Sequence, residues 1–271
     1  MINKKKLNKD HALLVIDVQN DFIENSSQKY KGDVKDFFPP NLEVNKSTSI
    51  LPKILALKNI FHKDRIILTQ DWHPIGHISF AASNDKRYSK DPVTGLSMLN
   101  KEELIKEVNG EKVDLGSQEL WPKHCIQKQQ GAEFHQEIKS LWKEAELVTV
   151  LEKNKDYNNN KPKIIRKGSN LNIDSYSGFG DKFNNKYDRT ELNDLLKKLK
   201  VKTVVVCGLA FDYCVKFTCL DALRIGFNVV LIKDATASVV SALDERNIKE
   251  LEERAKKLNK NFKLTNTANL I

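Results

Sequence analysis

No stretch of this 271-residue chain is apolar for long enough to span a bilayer, which takes about 20 consecutive apolar residues. The basic start, residues 1–10, is followed only by the short apolar run 12–16, too brief for a secretory signal region, so the expected compartment is the cytoplasm. Cysteine is scarce. Cys125, Cys207, Cys214 and Cys219 include no pair at CxxC spacing, and a chain this long needs no disulfide framework. There is no internal repeat. There is also no basic stripe interleaved with aromatics. Lys and Arg total 45 against 36 acidic residues, a net charge of +9, yet runs such as 194–200 read as solvated helix faces. Neither a nucleic-acid partner nor a membrane is expected.

What remains is a soluble globular composition, 40% hydrophobic and 30% charged, in a length that one core can serve. Apolar, β-branched runs at 12–16, 66–68, 163–165, 203–207 and 228–232 predict strands, with 146–151 and 262–265 as further candidates. Helical periodicity occupies 49–61, 134–145, 189–199, 215–225 and 241–258. Strand–helix alternation with continuous apolar strands predicts a doubly wound α/β fold, its mostly parallel sheet covered on both faces. A single domain over 1–271 is expected, with polar loop insertions near 25–41, 84–115 and 154–162.

Four segments deliver reactive side chains to the carboxyl ends of predicted strands, where open α/β sheets bind ligands. They carry Asp17, then Asp71 and His73, then Lys167, then Cys214. A lone cysteine is more often a packing residue. Cys214, however, opens a predicted helix, where backbone amides favour thiolate. Asp17 closes an apolar strand, so burial should raise its pKa and suit it to accept a proton. Asp71-x-His73 with a single histidine reads first as a turn with a hydrogen-bonded histidine. A carboxylate with imidazoles also suits Zn²⁺, Fe²⁺ or Mn²⁺.

Ile16-Asp17-Val-Gln-Asn-Asp-Phe22, Asp71-Trp-His-Pro, Trp121-Pro-Lys-His-Cys125, Lys167-Gly, Tyr176-Ser-Gly-Phe179 and Gly208-Leu-Ala-Phe-Asp-Tyr-Cys214 resemble the nicotinamidases of the isochorismatase-like cysteine hydrolase superfamily. The resemblance implies a nicotinamide and pyrazinamide hydrolase of NAD salvage. It implies a catalytic triad of Asp17, Lys167 and Cys214, and a cis peptide at Leu209–Ala210. The Ala210 and Cys214 amides would form the oxyanion hole. It implies one divalent metal, Zn²⁺ first and Fe²⁺ or Mn²⁺ as alternatives, on Asp71, His73 and His124. His77 would be an extra ligand or, more often, a neighbour, and Cys125 would be no ligand. Phe22, Trp72, Tyr176, Leu209 and Ala210 would line the substrate slot, with Asp212 and Tyr213 positioning the turn. A homo-oligomer is left open. Other small-amide or isochorismate hydrolysis in the same superfamily, or a catalytically idle nucleic-acid-binding protein, are the alternatives.

Overall fold

The computed structural model describes residues 7–24, 42–81, 88–90, 97–99, 105–108, 111–114, 118–180 and 189–271. In chain order the strands are β1 (His11–Ile16), β2 (Ile66–Asp71), β3 (Tyr88–Lys90), β4 (Ser97–Leu99), β5 (Ile105–Val108), β6 (Glu111–Asp114), β7 (Glu119–Leu120), β8 (Glu146–Leu147), β9 (Lys163–Lys167), β10 (Thr203–Gly208), β11 (Asn228–Thr236) and β12 (Phe262–Thr265). The α-helices are α1 (Ser47–Leu57), α2 (Lys139–Trp142), α3 (Leu192–Lys198), α4 (Lys216–Ile225) and α5 (Asp244–Lys257).

Seven strands form one parallel sheet in the order β12-β11-β10-β1-β2-β9-β8. Period-two alternation sorts its side chains onto two faces. Ala12, Leu14, Ile16, Val204 and Val206 pack with the buried stripes of α3, α4 and α5. Leu13, Val15, Val205 and Cys207 pack with Ile50, Leu51, Ile54 and Leu57 of α1. Both faces are thus dry, which is why these strands read as unbroken apolar runs. From β1 the order runs one way through β2 and the other way through β10. Chain segments leaving β1 and β10 therefore diverge and open a crevice at their carboxyl ends.

Two expectations change. Residues 134–145 do not form one helix. Phe134 is bridged to Gln19, and His135 N–H donates to Val18 O, so the chain is tied to the loop after β1 and only the short α2 follows. The 84–115 stretch is more than loop: β3 and β4 join β7 in an antiparallel sheet, and β5 pairs with β6. Its sequence signal is Asn109-Gly110, a hairpin-favouring pair between β5 and β6. The 25–41 insertion lies outside the described residues, and 154–162 is irregular. Among the described residues no helix is long and apolar enough to cross a membrane.

Candidate active site

Asp17 follows β1 directly and adopts φ 47°, a left-handed turn uncommon for a residue with a Cβ. Thr69 of β2 stabilises it twice: its Oγ1 accepts from Asp17 N–H at 3.2 Å and donates to Asp17 Oδ1 at 2.6 Å. Next door, Gly208 ends β10 at φ 112°, and a Cβ there would lie 2.1 Å from Ile16 O. Glycine alone lets β10 turn against the end of β1. The Leu209–Ala210 peptide is cis. Phe211–Val215 then forms a single π-helical turn, with Cys214 inside it, that runs into α4. Outside the helical turn itself, no backbone carbonyl among the described residues accepts from the Ala210 or Cys214 amide.

Lys167 ends β9, and its side chain is fully buried. Its Nζ lies 3.0 Å from Asp17 Oδ2, 3.0 Å from Asp71 Oδ1, 3.4 Å from Cys214 Sγ and 2.9 Å from Ser175 O. Burial alone would lower the Lys167 pKa, but Asp17 and Asp71 outweigh it and hold the ammonium well above the ordinary lysine range. Burial raises the Asp17 carboxyl, against the pull of Lys167. Burial also raises the Cys214 thiol well above its usual value; Lys167 opposes this, while Asp17 and Asp71 add to it. Desolvation thus works against the thiolate that backbone amides were expected to favour, and a base beside the thiol assists its formation.

Asp71 sits across the cleft. Burial would raise its carboxyl, but His73, Lys167 and His124 hold it well below the usual carboxylate range. Asp71 Oδ2 is 3.0 Å from His73 Nε2 and 3.6 Å from His124 Nε2. His124 arrives there because residues 125–127 pair with His73: His73 N–H donates to Cys125 O, and Gln127 N–H donates to His73 O. Each imidazole gives its Nδ1 proton to a backbone carbonyl at 2.8 Å, Gly168 O for His73 and Pro122 O for His124. Nδ1 of each ring is thereby spent on a carbonyl and Nε2 of both turns toward the carboxylate, where a divalent ion would take the place of any proton between them. One carboxylate and two such imidazoles fit a divalent ion with open positions. His77 differs, since Nδ1 meets Ser79 Oγ at 2.7 Å and Nε2 meets Ile173 O at 3.2 Å. Both its nitrogens are engaged, and burial pushes its pKa down to about 4. Gly168, at φ 62°, passes so close that a Cβ would lie 2.5 Å from His73 Cε1 and 2.9 Å from Asp71 Oδ1.

The cleft between these two groups has an empty volume of about 410 Å³, partly open to solvent. Phe22, Tyr176 and Ala210 line it with Asp71, His73, His124 and Cys214. Two residues expected there are elsewhere. Trp72 lies between Asp71 and His73, so strand alternation sends it to the opposite face, where its ring stacks 3.7 Å from the Arg166 guanidinium. Leu209 is buried in the α1-side core. Trp121 and Tyr213 take their place, ring centroids 4.8 Å apart and edge to face, and Trp121 Nε1 donates to Tyr176 Oη at 3.0 Å. Asp212 accepts from Val239 and Val240 N–H, fixing the chain above the turn. Sequence reasoning also passed over Gln19. Buried beside Asp17, its amide clasps both backbone groups of Asp71, donating to the carbonyl and accepting from N–H, each at 2.8 Å. The only signal for it was its place in the Asp17–Phe22 motif.

Comparison with known proteins follows the same lines. The isochorismatase domain family matches residues 175–260. The nicotinamidase of Acinetobacter baylyi is 33% identical over 228 residues, 84% of this chain and 81% of that protein. A solved nicotinamidase/pyrazinamidase structure from Acinetobacter baumanii superposes with a TM-score of 0.67 at 31% identity, covering 98% of this chain and all of that one, 100%. A pyrazinamidase of Pyrococcus horikoshii, solved in complex with zinc, gives a TM-score of 0.56 at 27% identity, covering 95% and 99%.

Proposed function

The chain belongs to the nicotinamidase family, and from that premise we propose that it hydrolyses nicotinamide to nicotinate and ammonia, with pyrazinamide as a second substrate. One observation carries the reading: a buried lysine within 3.4 Å of a cysteine thiol and 3.0 Å of a carboxylate, at the wall of a cleft lined by aromatic rings.

Asp17, its pKa raised by burial, takes the Cys214 proton as Sγ attacks the amide carbon. Lys167 stabilises the charge that passes between them. The amides of Ala210 and Cys214, at the turn that carries the nucleophile, receive the developing oxyanion on this reading. Collapse of the tetrahedral adduct expels ammonia, which carries away the proton held by Asp17. A water molecule, deprotonated by Asp17, then cleaves the thioester and restores the thiol as nicotinate leaves. Phe22, Tyr176, Trp121 and Tyr213 give the ring its flat slot. A divalent ion, Zn²⁺ with Fe²⁺ and Mn²⁺ as alternatives, when held by Asp71, His73 and His124 supplies open positions suited to a ring nitrogen or water. His77 is not among its ligands on this reading, and the cytoplasm is the working compartment.

The test is ammonia release from nicotinamide with and without a chelator. Turnover that chelation abolishes and Zn²⁺ restores is expected. Absence of amidase activity in metal-loaded protein would overturn the reading.

A further inference from the structure

We propose that Asp174 is a specificity-determining residue, its carboxylate tuning the cleft toward a neutral carboxamide and against the anionic carboxylate made from it. The inference rests on the amidase reading above. Asp174 lines the cleft together with Cys214 and the histidines but takes no part in the chemistry derived for it. A carboxylate oxygen of Asp174 lies within 4.8 Å of ring nitrogens of both His73 and His77. The side chain is fixed in place: Oδ2 accepts from Gln118 Nε2 at 3.0 Å, and Oδ1 accepts from Ser175 N–H at 2.8 Å. The carbonyl of Ser175 in turn accepts from Lys167 Nζ at 2.9 Å, so Asp174 is tethered to the triad.

The charges around the cleft explain what it does there. Asp17 and Lys167 form one ion pair at 3.0 Å and balance each other. Among the described residues that line the cleft, the remaining carboxylates are Asp71 and Asp174. A divalent ion on Asp71, His73 and His124 is balanced by those two carboxylates together and by neither alone. With Asp174 present, the loaded cleft is neutral overall and has no excess attraction for an anion. Without it, the cleft carries one net positive charge and holds a carboxylate more tightly than the matching amide. Substrate and product differ in this one respect, since hydrolysis turns a neutral group into an anion. Asp174 therefore opposes product retention and excludes free aromatic acids of the same shape. A unit charge several ångströms away, in a cleft partly open to water, changes an anion's binding constant by about 5- to 30-fold.

The experiment uses metal-loaded Cys214→Ala protein, which cannot turn over. Dissociation constants for nicotinamide and nicotinate are measured by titration calorimetry, with and without Asp174→Asn. The expected result is that the nicotinate-to-nicotinamide ratio falls about 5- to 30-fold in Asp174→Asn and returns in Asp174→Glu. An unchanged ratio in a folded, metal-loaded Asp174→Asn protein would overturn the proposal and leave Asp174 as a loop anchor for Gln118 and Ser175. If Asp174→Asn does not fold, the Cys214→Ala protein decides alone: nicotinate binding no tighter than nicotinamide supports the proposal, and tighter binding overturns it. Failure of the amidase reading looks different, since it appears as wild-type protein that releases no ammonia.

Discussion

Asp17 and Asp71 are both buried carboxylates 3.0 Å from the same ammonium, yet their environments drive them in opposite directions. Asp17 has Lys167 and a threonine hydroxyl, too little to offset desolvation, and its carboxyl rises. Asp71 has Lys167 and two imidazoles, and its carboxyl falls. The cleft thus has a proton-handling half, Asp17 with Cys214, and an acceptor half, Asp71 with His73 and His124. Burial is common to both, so the neighbours alone decide which carboxylate moves protons and which stays ionised. Lys167 joins the halves.

The largest expected effect breaks one half and spares the other. Cys214→Ala should abolish turnover while metal content stays at the wild-type level, because the thiol is no ligand. Kinetics with metal analysis checks this, and loss of metal would merge the two halves. Asp17→Asn should lower kcat by about two orders of magnitude or more, the usual contribution of a general acid–base group. The same residue sets the pH dependence. Asp17 works as a base, so it must be ionised, and its raised pKa moves the acidic fall of kcat/KM upward from that of an ordinary aspartate. Activity should decline as pH drops through that raised value, and a pH–rate profile in which the decline lies at or below the ordinary range would contradict the assignment.

On the other side, His124→Ala should reduce metal content and raise KM for nicotinamide, leaving Cys214 open to alkylation at the wild-type rate. Benzamide probes the same half without mutation. It keeps ring and amide but lacks the ring nitrogen, so its kcat/KM should fall by about 2–4 kcal/mol in transition-state binding. Equal values for benzamide and nicotinamide would detach ring recognition from the histidines. The smallest effect belongs to Trp72, which stacks on Arg166 behind the cleft. Trp72→Leu should change kcat/KM no more than a few-fold, and a large rise in KM would return its ring to the substrate slot.

Strand content was legible because strands covered on both faces leave long apolar runs, as at 203–207. The antiparallel strands of 84–115 leave no such run, and only Asn109-Gly110 marked them. At the site, Asp17, Asp71, His73, Lys167 and Cys214 were legible because each ends or follows a strand of one sheet. His124 was not reachable that way: it depends on residues 125–127 pairing with His73, which no periodicity announces. Trp72 and Leu209 adjoin site motifs in sequence yet lie off the cleft lining, because alternation turns Trp72 away from both its neighbours and Leu209 packs into the α1-side core. Gln19 acts through the backbone of Asp71, and Thr69 through the backbone and carboxylate of Asp17, contacts that no pattern of residue types along the chain announces.

The central strand has a further consequence, for folding. β1 pairs with β10, residues about 190 positions later in the chain, as His11 with Thr203 and Ile16 with Gly208. Contacts so remote in sequence form slowly, because the loop between them must close first. Asp17 therefore meets Cys214 only after nearly the whole polypeptide has been threaded into register. In refolding, helical signal should recover early and thiol reactivity toward a nicotinamide-like electrophile late, making the nucleophile a timer for completion of the sheet.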